Sequence, residues 1–186
     1  MGRLTQRIWG VEIQSPVFLA SGTCGYGAEI AGLIPLDDIG GIVTKAVSLE
    51  PRPGNPPHRV AETPGGMINA IGLQNVGLDL FRREKLPWLK ENLTRAHVFV
   101  NVVGRSVEDF AAVVAGLDDA DGFLGYELNV SCPNSTVARS VPFAGNSREL
   151  GAEPDGGRRE IESSSWCQGG DSVAKKGWRD GRHHLR

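Results

Sequence analysis

Four short apolar runs constrain the fold of this 186-residue chain more than any other feature. Val17-Phe18-Leu19-Ala20 stops at the turn-prone Ser21-Gly22-Thr23. The runs Gly41-Ile42-Val43-Thr44-Lys45, Val98-Phe99-Val100-Asn101-Val102 and Gly125-Tyr126-Glu127-Leu128-Asn129-Val130 repeat the pattern, each with a polar residue near its end. Such runs read as strands covered on both faces. Between the last two, Ser106 can cap a helix whose first turn carries Glu108 and Asp109 and whose apolar stripe is Phe110, Val113 and Val114. Residues 28–36 supply a first crossover helix, and residues 78–93 a second helical stretch interrupted by Pro87. Strand alternating with helix means a parallel α/β fold. An open doubly wound sheet and part of a (β/α)8 barrel both fit, and both place chemistry at the strand C-terminal ends. Gly22, Gly25 and Gly27 lack the G-x-G-x-x-G spacing, which takes weight from a dinucleotide site.

Composition narrows the ligand class. With 40% hydrophobic and 23% charged residues and a net charge of −2, the chain gives no electrostatic reason to bind nucleic acid or an anionic membrane. A small molecule is the expected partner. The first 14 residues mix Arg3, Arg7 and Glu12 with isolated apolar residues and make neither a signal peptide nor a membrane span, so the expected location is cytoplasmic. Cys24, Cys132 and Cys167 are odd in number and far apart, so reduced thiols are expected, and no close Cys pair points to a metal.

The loop over residues 48–77 is stiffened by Pro51, Pro53, Pro56, Pro57 and Pro64. Loops this long are commonly functional. Its second part, residues 66–75, is mostly apolar with spaced glycines and amides, a wall that can desolvate a flat ring while Asn69 and backbone groups bond its polar edges. From Asn146 to Arg186 the chain is rich in Gly, Arg and Ser and carries no apolar periodicity.

The strongest chemical constellation is Asn129-Val130-Ser131-Cys132-Pro133-Asn134, directly after a buried strand. The Cys132 thiol there is either a nucleophile or base facing a pocket, or an inert buried cysteine. Lys45, at the end of another strand, is either a cation on the same face or a solvated surface lysine. Cys24 reads as a small structural residue, Arg82, Arg83 and Lys85 as a solvated helix face, and Arg52 and Arg59 as braces for the proline-rich loop.

The strings at residues 19–23, 44–47, 51–59, 62–75 and 129–134 resemble, in order, the signatures of cytosolic dihydroorotate dehydrogenases. Glu62-Thr63-Pro64-Gly65-Gly66-Met67-Ile68-Asn69 resembles the class 1B catalytic subunit. The resemblance spans residues 1–145 and implies an α/β fold: the first half of an FMN-binding (β/α)8 TIM barrel with an N-terminal hairpin. Residues 146–186 would follow as an irregular or disordered tail. It implies oxidation of dihydroorotate to orotate in pyrimidine synthesis, and a homo- or hetero-oligomer whose partner subunit carries FAD and an iron–sulfur cluster and passes electrons to NAD. By position, Ala20, Ser21, Lys45, Ala46, Asn101 and Asn129 would hold FMN. Lys45, Asn69, Ala70, Ile71, Gly72, Leu73, Asn129 and Asn134 would hold the pyrimidine, and Cys132 would be the base. A dihydropyrimidine dehydrogenase module resembles the same catalytic loop, and a non-catalytic fragment that associates with another chain is the reading from a different class.

The tail does not continue the resemblance. Codons for Asn146 to Glu153 read one base later permit a helix start of the family's kind, so a shift of reading frame after Gly145 is the expected explanation. A chain without the later strands and their phosphate loops is expected to be inactive by itself.

Overall fold

The computed structural model describes residues 4–130 and the backbone of residues 172–175. It opens with the expected hairpin: Gln6–Ile8 (β1) and Val11–Ile13 (β2) pair antiparallel. The turn between them is Trp9-Gly10, both at positive φ, the two-residue geometry whose twist matches the flanking strands.

The apolar runs then form strands as expected. Phe18–Leu19 (β3) pairs in parallel with Gly41–Val43 (β4). The long loop projects its own exposed hairpin, Val60–Thr63 (β5) with Gly66–Asn69 (β6). His97–Val102 (β7) adds in parallel to β4, and Gly125–Leu128 (β8) adds in parallel to β7. The spatial order β3-β4-β7-β8 follows the chain without reversal. A doubly wound sheet reverses at a switch point, whereas a (β/α)8 barrel winds its strands consecutively, so the order selects the barrel.

Strand alternation sorts the side chains into two layers. Ile42, Val98, Val100, Val102, Tyr126 and Leu128 join the buried cluster with Leu78, Phe81, Leu86, Leu89, Phe110 and Val113. The opposite face is built in tiers. Near the strand starts, Phe99 takes edge-on contacts from Trp9 and Phe18 at 5.8 and 5.9 Å, so the N-terminal hairpin covers that end. Two residues further along, Asn101 pairs in register with Glu127, and the face turns polar towards the strand C-terminal ends.

The helical layer differs from expectation in two places. Residues 28–35 form successive turns, with Ile30 and Leu33 N–H groups bonding Gly27 and Ile30 carbonyls, followed only by a 3-10 turn at Leu36–Asp38. Gly32 and Pro35 leave no uninterrupted stretch long enough to offset helix nucleation. The second stretch is helical throughout: Gly77–Leu80 (α1), a π-turn at Phe81–Lys85, then Leu86–Asn92 (α2). Leu86 N–H bonds Phe81 O, five residues back, and this widened turn admits Pro87 at the start of α2. The third helix, Val107–Ala115 (α3), starts as read, with Asp109 N–H donating to Ser106 Oγ.

Asp37 ties the first crossover to the entry of β7. Its carboxylate accepts from the backbone N–H groups of Thr94, Arg95 and Ala96 and from the Thr94 hydroxyl at 2.6 to 3.1 Å. Desolvation alone would raise its pKa, but the Thr94 hydroxyl and the three N–H donors outweigh it and hold the carboxyl at about 2. Because the folded pKa lies below the unfolded value, this stabilisation is present above about pH 4 and is lost as pH falls towards 2. Asp37→Ala is expected to cost about 1–2 kcal/mol at pH 7, as for loss of a cap, and urea melts at pH 7 and pH 2 should show the difference from the parent shrinking in acid.

Ser172–Lys175 (β9) lies in the stretch read as an irregular tail, yet pairs antiparallel with β8, Gly125 opposite Lys175. The exposed edge of β8 offers unpaired backbone groups that a short segment can satisfy. The described sheet therefore stays open, with β3 and β9 as its edges.

Candidate functional site

The site is built where the long loop returns to the strand ends. Asn75 is buried, donates Nδ2–H to the Leu73 carbonyl and accepts the Gly77 N–H, both at 2.9 Å. Arg52 and Asn75 exchange backbone hydrogen bonds at 3.0 Å. Arg59 braces the loop as expected: its guanidinium reaches Asn55 O, Pro53 O and Gln74 Oε1. Asn55 in turn bonds Ile71 O and Ala70 O. Gly72 sits at φ +77°, and a Cβ there would lie 2.6 Å from Asn55 Oδ1, so the close approach requires glycine.

Tyr26 joins the loop to the strands. Its hydroxyl donates to Ala46 O at 3.0 Å and accepts the Val76 N–H at 3.3 Å, and burial pushes its pKa up to about 12. Lys85, read as solvated, instead sets its ammonium 5.8 Å from the Tyr26 ring centre. Arg82 of the same face pairs with Asp119 at 2.9 Å. Cys24 is a small packing residue as expected: its thiol is buried against Val43 O, and burial raises its pKa.

These anchors leave a cleft of about 580 Å³ at the strand C-terminal ends. Its walls are Ala20, Ser21, Gly22 and Thr23 after β3, Lys45 and Ala46 after β4, Asn69 and residues 71–74 from the loop, and Glu127 and Asn129 from β8. Ser21 Oγ donates to Thr44 O at 2.9 Å, and the Asn129 N–H bonds Val102 O at 2.9 Å, so both ends are fixed to the sheet. The volume lies within the range of small-molecule sites. A second cleft, lined by Tyr26, Glu29, Pro51, Arg52, Pro53, Asn75 and Val76, adjoins it and shares Lys45 and Gln74.

Of the residues named from sequence, Ala20, Ser21, Lys45, Ala46, Asn69, Ile71, Gly72, Leu73 and Asn129 meet in this cleft. Ala70 does not line it: the residue is exposed, and its N–H bonds Arg59 O. Asn101 does not line it either. It is wholly buried, donating Nδ2–H to Glu127 Oε1 at 2.6 Å, with its Oδ1 left unpartnered. Cys132 and Asn134 lie outside the described residues. Among the described residues no group of His, Cys, Asp and Glu could hold a metal, and no helix is long and apolar enough to cross a membrane. Gly22, Thr23, Gln74 and Glu127 also line the cleft and were not assigned from sequence, Glu127 being the charged one. The signal for Glu127 was present, since alternation in Tyr126-Glu127-Leu128-Asn129 puts a carboxylate on the face shared with Asn129 inside an otherwise apolar strand.

A family model for dihydroorotate dehydrogenase matches residues 3–150. The chain belongs to that family. Relatives named dihydroorotate dehydrogenase B (NAD(+)), catalytic subunit, match it over part of their length. The one from a Geobacter species is 50% identical over 125 residues, 67% of this chain and 40% of the relative. That from Thermodesulfovibrio yellowstonii is 44% identical over 152 residues, 82% of this chain and 47% of the relative. The chain thus spans less than half the length of these relatives. Among solved structures, the dihydroorotate dehydrogenase of Eimeria tenella in complex with ferulenol superposes with a TM-score of 0.65 at 21% identity, covering 79% of this chain and 42% of that one. That likeness bears on the fold, a partial α/β barrel.

Proposed function

We propose that this chain carries the ring-binding half of an FMN-dependent dihydroorotate dehydrogenase, a class 1B catalytic subunit that oxidises dihydroorotate to orotate in pyrimidine synthesis. What supports the reading is that one cleft brings Ala20, Ser21, Ala46 and Asn129, assigned to the flavin, together with Lys45, Asn69, Ile71, Gly72 and Leu73, assigned to the pyrimidine. The residues present fit the cofactor: the Lys45 ammonium and the Asn69 and Asn129 amides are polar groups on the cleft wall, and the apolar loop wall can exclude water from a planar ring.

In this reading Ala20, Ser21, Lys45, Ala46, Asn101 and Asn129 hold FMN. Lys45, Asn69, Ala70, Ile71, Gly72, Leu73, Asn129 and Asn134 hold the pyrimidine. Bound FMN supplies the acceptor for the hydride from C6. Cys132, as thiolate, takes the C5 proton, which is acidified by its position α to a carbonyl. The Lys45 ammonium offsets the negative charge of the substrate carboxylate, and the loop holds the pyrimidine in a single orientation. A partner subunit carrying FAD and an iron–sulfur cluster would take the electrons on to NAD, and the site would operate in the cytoplasm. Residues 146–186 are proposed to be read out of frame, which the nucleotide sequence would decide.

Because the described sheet is open, the 186-residue chain by itself is expected to hold FMN weakly and to leave purification with little flavin. Fluorescence titration tests the site directly. FMN emission should change saturably as the chain is added, and orotate should alter the bound signal. FMN emission identical with and without the chain, across the titration, contradicts the proposed site.

A further inference from the structure

A leucine in the left-handed region is uncommon, because its Cβ crowds the neighbouring carbonyl. Leu73 nonetheless adopts φ +54°, directly after Gly72 at φ +77°, and both residues line the cleft. Glycine would make the turn at position 73 without strain, as it does at 72, so the turn alone does not account for a leucine there. Such a conformation persists only where its surroundings over-determine it, and strain of this kind gathers at ligand sites.

Two asparagines hold the turn. On the incoming limb Asn55 takes the Ile71 carbonyl with its backbone N–H at 3.0 Å and the Ala70 carbonyl with its Nδ2–H at 2.9 Å. On the outgoing limb Asn75 takes the Leu73 carbonyl with Nδ2–H at 2.9 Å. Asn55 is exposed, whereas Asn75 is only 6% exposed and its amide is used in full. Its other Nδ2–H goes to Ser48 Oγ at 2.9 Å, and its Oδ1 accepts the backbone N–H groups of Gly77 at 2.9 Å and of Ser48 at 3.4 Å. These partners fix the orientation of the amide, with nitrogen towards Leu73. Ser48 is itself buried three residues beyond Lys45, and its hydroxyl donates to the Glu50 carbonyl at 2.7 Å. The flavin-side walls have separate anchors: Ser21 Oγ on Thr44 O, the Lys45 N–H on Gly25 O at 2.7 Å, and the Asn129 N–H on Val102 O. None of these three bonds passes through Asn75.

We propose that Asn75, locked by Ser48, is a positioning residue that holds Leu73 in its left-handed conformation and thereby sets the affinity of the cleft for the pyrimidine, leaving that for the flavin unaffected. The proposal rests on the reading of residues 69–73 as the pyrimidine wall, and goes beyond it by naming the residues that hold that wall in its strained, binding-competent form.

The test is a binding titration of the full 186-residue chain, with FMN followed by flavin fluorescence and orotate followed separately by protein-observed NMR. Asn75→Asp keeps the shape and the Oδ1 acceptor but turns an oxygen towards the Leu73 carbonyl. It should weaken orotate about three- to tenfold, the effect of losing one hydrogen bond that maintains the competent conformer. FMN affinity should stay within about twofold, as for sites with no shared partners. The backbone chemical shifts of Leu73 should move with the loss of orotate affinity. Ser48→Ala should weaken orotate in the same direction by less, and adding it to Asn75→Asp should have little further effect, because the two act through one contact. Asp37→Ala is the control for lost stability alone: it lies at the entry of β7, and both affinities should remain parental. Unchanged orotate affinity in a folded Asn75→Asp, or equal weakening of both ligands, overturns the proposal while leaving the cleft reading intact. If Asn75→Asp does not fold, Ser48→Ala decides, and parental orotate affinity in that variant overturns the proposal. A parent chain that does not bind orotate removes the pyrimidine reading of the loop and this proposal with it.

Discussion

Cys132→Ala, made in a chain that continues residues 1–145 into a complete barrel, is expected to slow flavin reduction by dihydroorotate about 10²- to 10⁴-fold, the usual contribution of a positioned base. Flavin and orotate affinity should change little, because the variant removes the group proposed to take the C5 proton and none of the residues that line the described cleft. Stopped-flow reduction under anaerobic conditions reads the step in isolation. The two measurements together separate a base from a packing residue: a cysteine that only packs would alter binding and rate together. Reduction at the parental rate would remove Cys132 from the mechanism, and the C5 proton would need another acceptor.

Gly41→Ala is expected to destabilise the fold by about 3 kcal/mol or more, at the upper end for overpacking. A Cβ at this position would stand 2.2 Å from the His97 carbonyl oxygen and 2.5 Å from the Phe18 ring. The first is backbone, which cannot rotate away, so β4 and β7 would have to part at the pairing of Gly41 with His97. Opening there also disturbs the Phe18–Phe99 contact that fills the strand-start end of the sheet. Gly10→Ala is the contrast: its Cβ would meet nothing within 4 Å, and only the positive φ of 77° would resist it. Chemical denaturation of both variants should show Gly41→Ala far less stable than Gly10→Ala. Equal stability would mean that the sheet tolerates separation at this pair.

What could be read from the sequence follows from which signals are local. The four strands announced themselves because burial on both faces, as at Val98, Phe99 and Val100, leaves a continuous apolar run. The α3 start was legible because a cap is chemistry within three residues, Ser106 to Asp109. The helix expected over residues 28–36 gives way to turns because Gly32 and Pro35 break the stretch. The unbroken path through Pro87 depends on a π-turn, and five-residue hydrogen bonding leaves no compositional mark. At the site, motif strings carried most of the cleft, but they say nothing of depth. Asn101 lies buried beside Glu127, and Ala70 turns its backbone to Arg59, because strand pairing and loop bracing, set by residues far away in sequence, decide which atoms reach the cleft.

The most direct test of the central claim is anaerobic bleaching of bound flavin in a chain that continues residues 1–145 into a complete barrel. Dihydroorotate should bleach the flavin absorbance, and 5,6-dihydrouracil, which lacks the carboxylate proposed to meet Lys45, should leave it largely unchanged. Bleaching by dihydrouracil with no response to dihydroorotate would contradict the account.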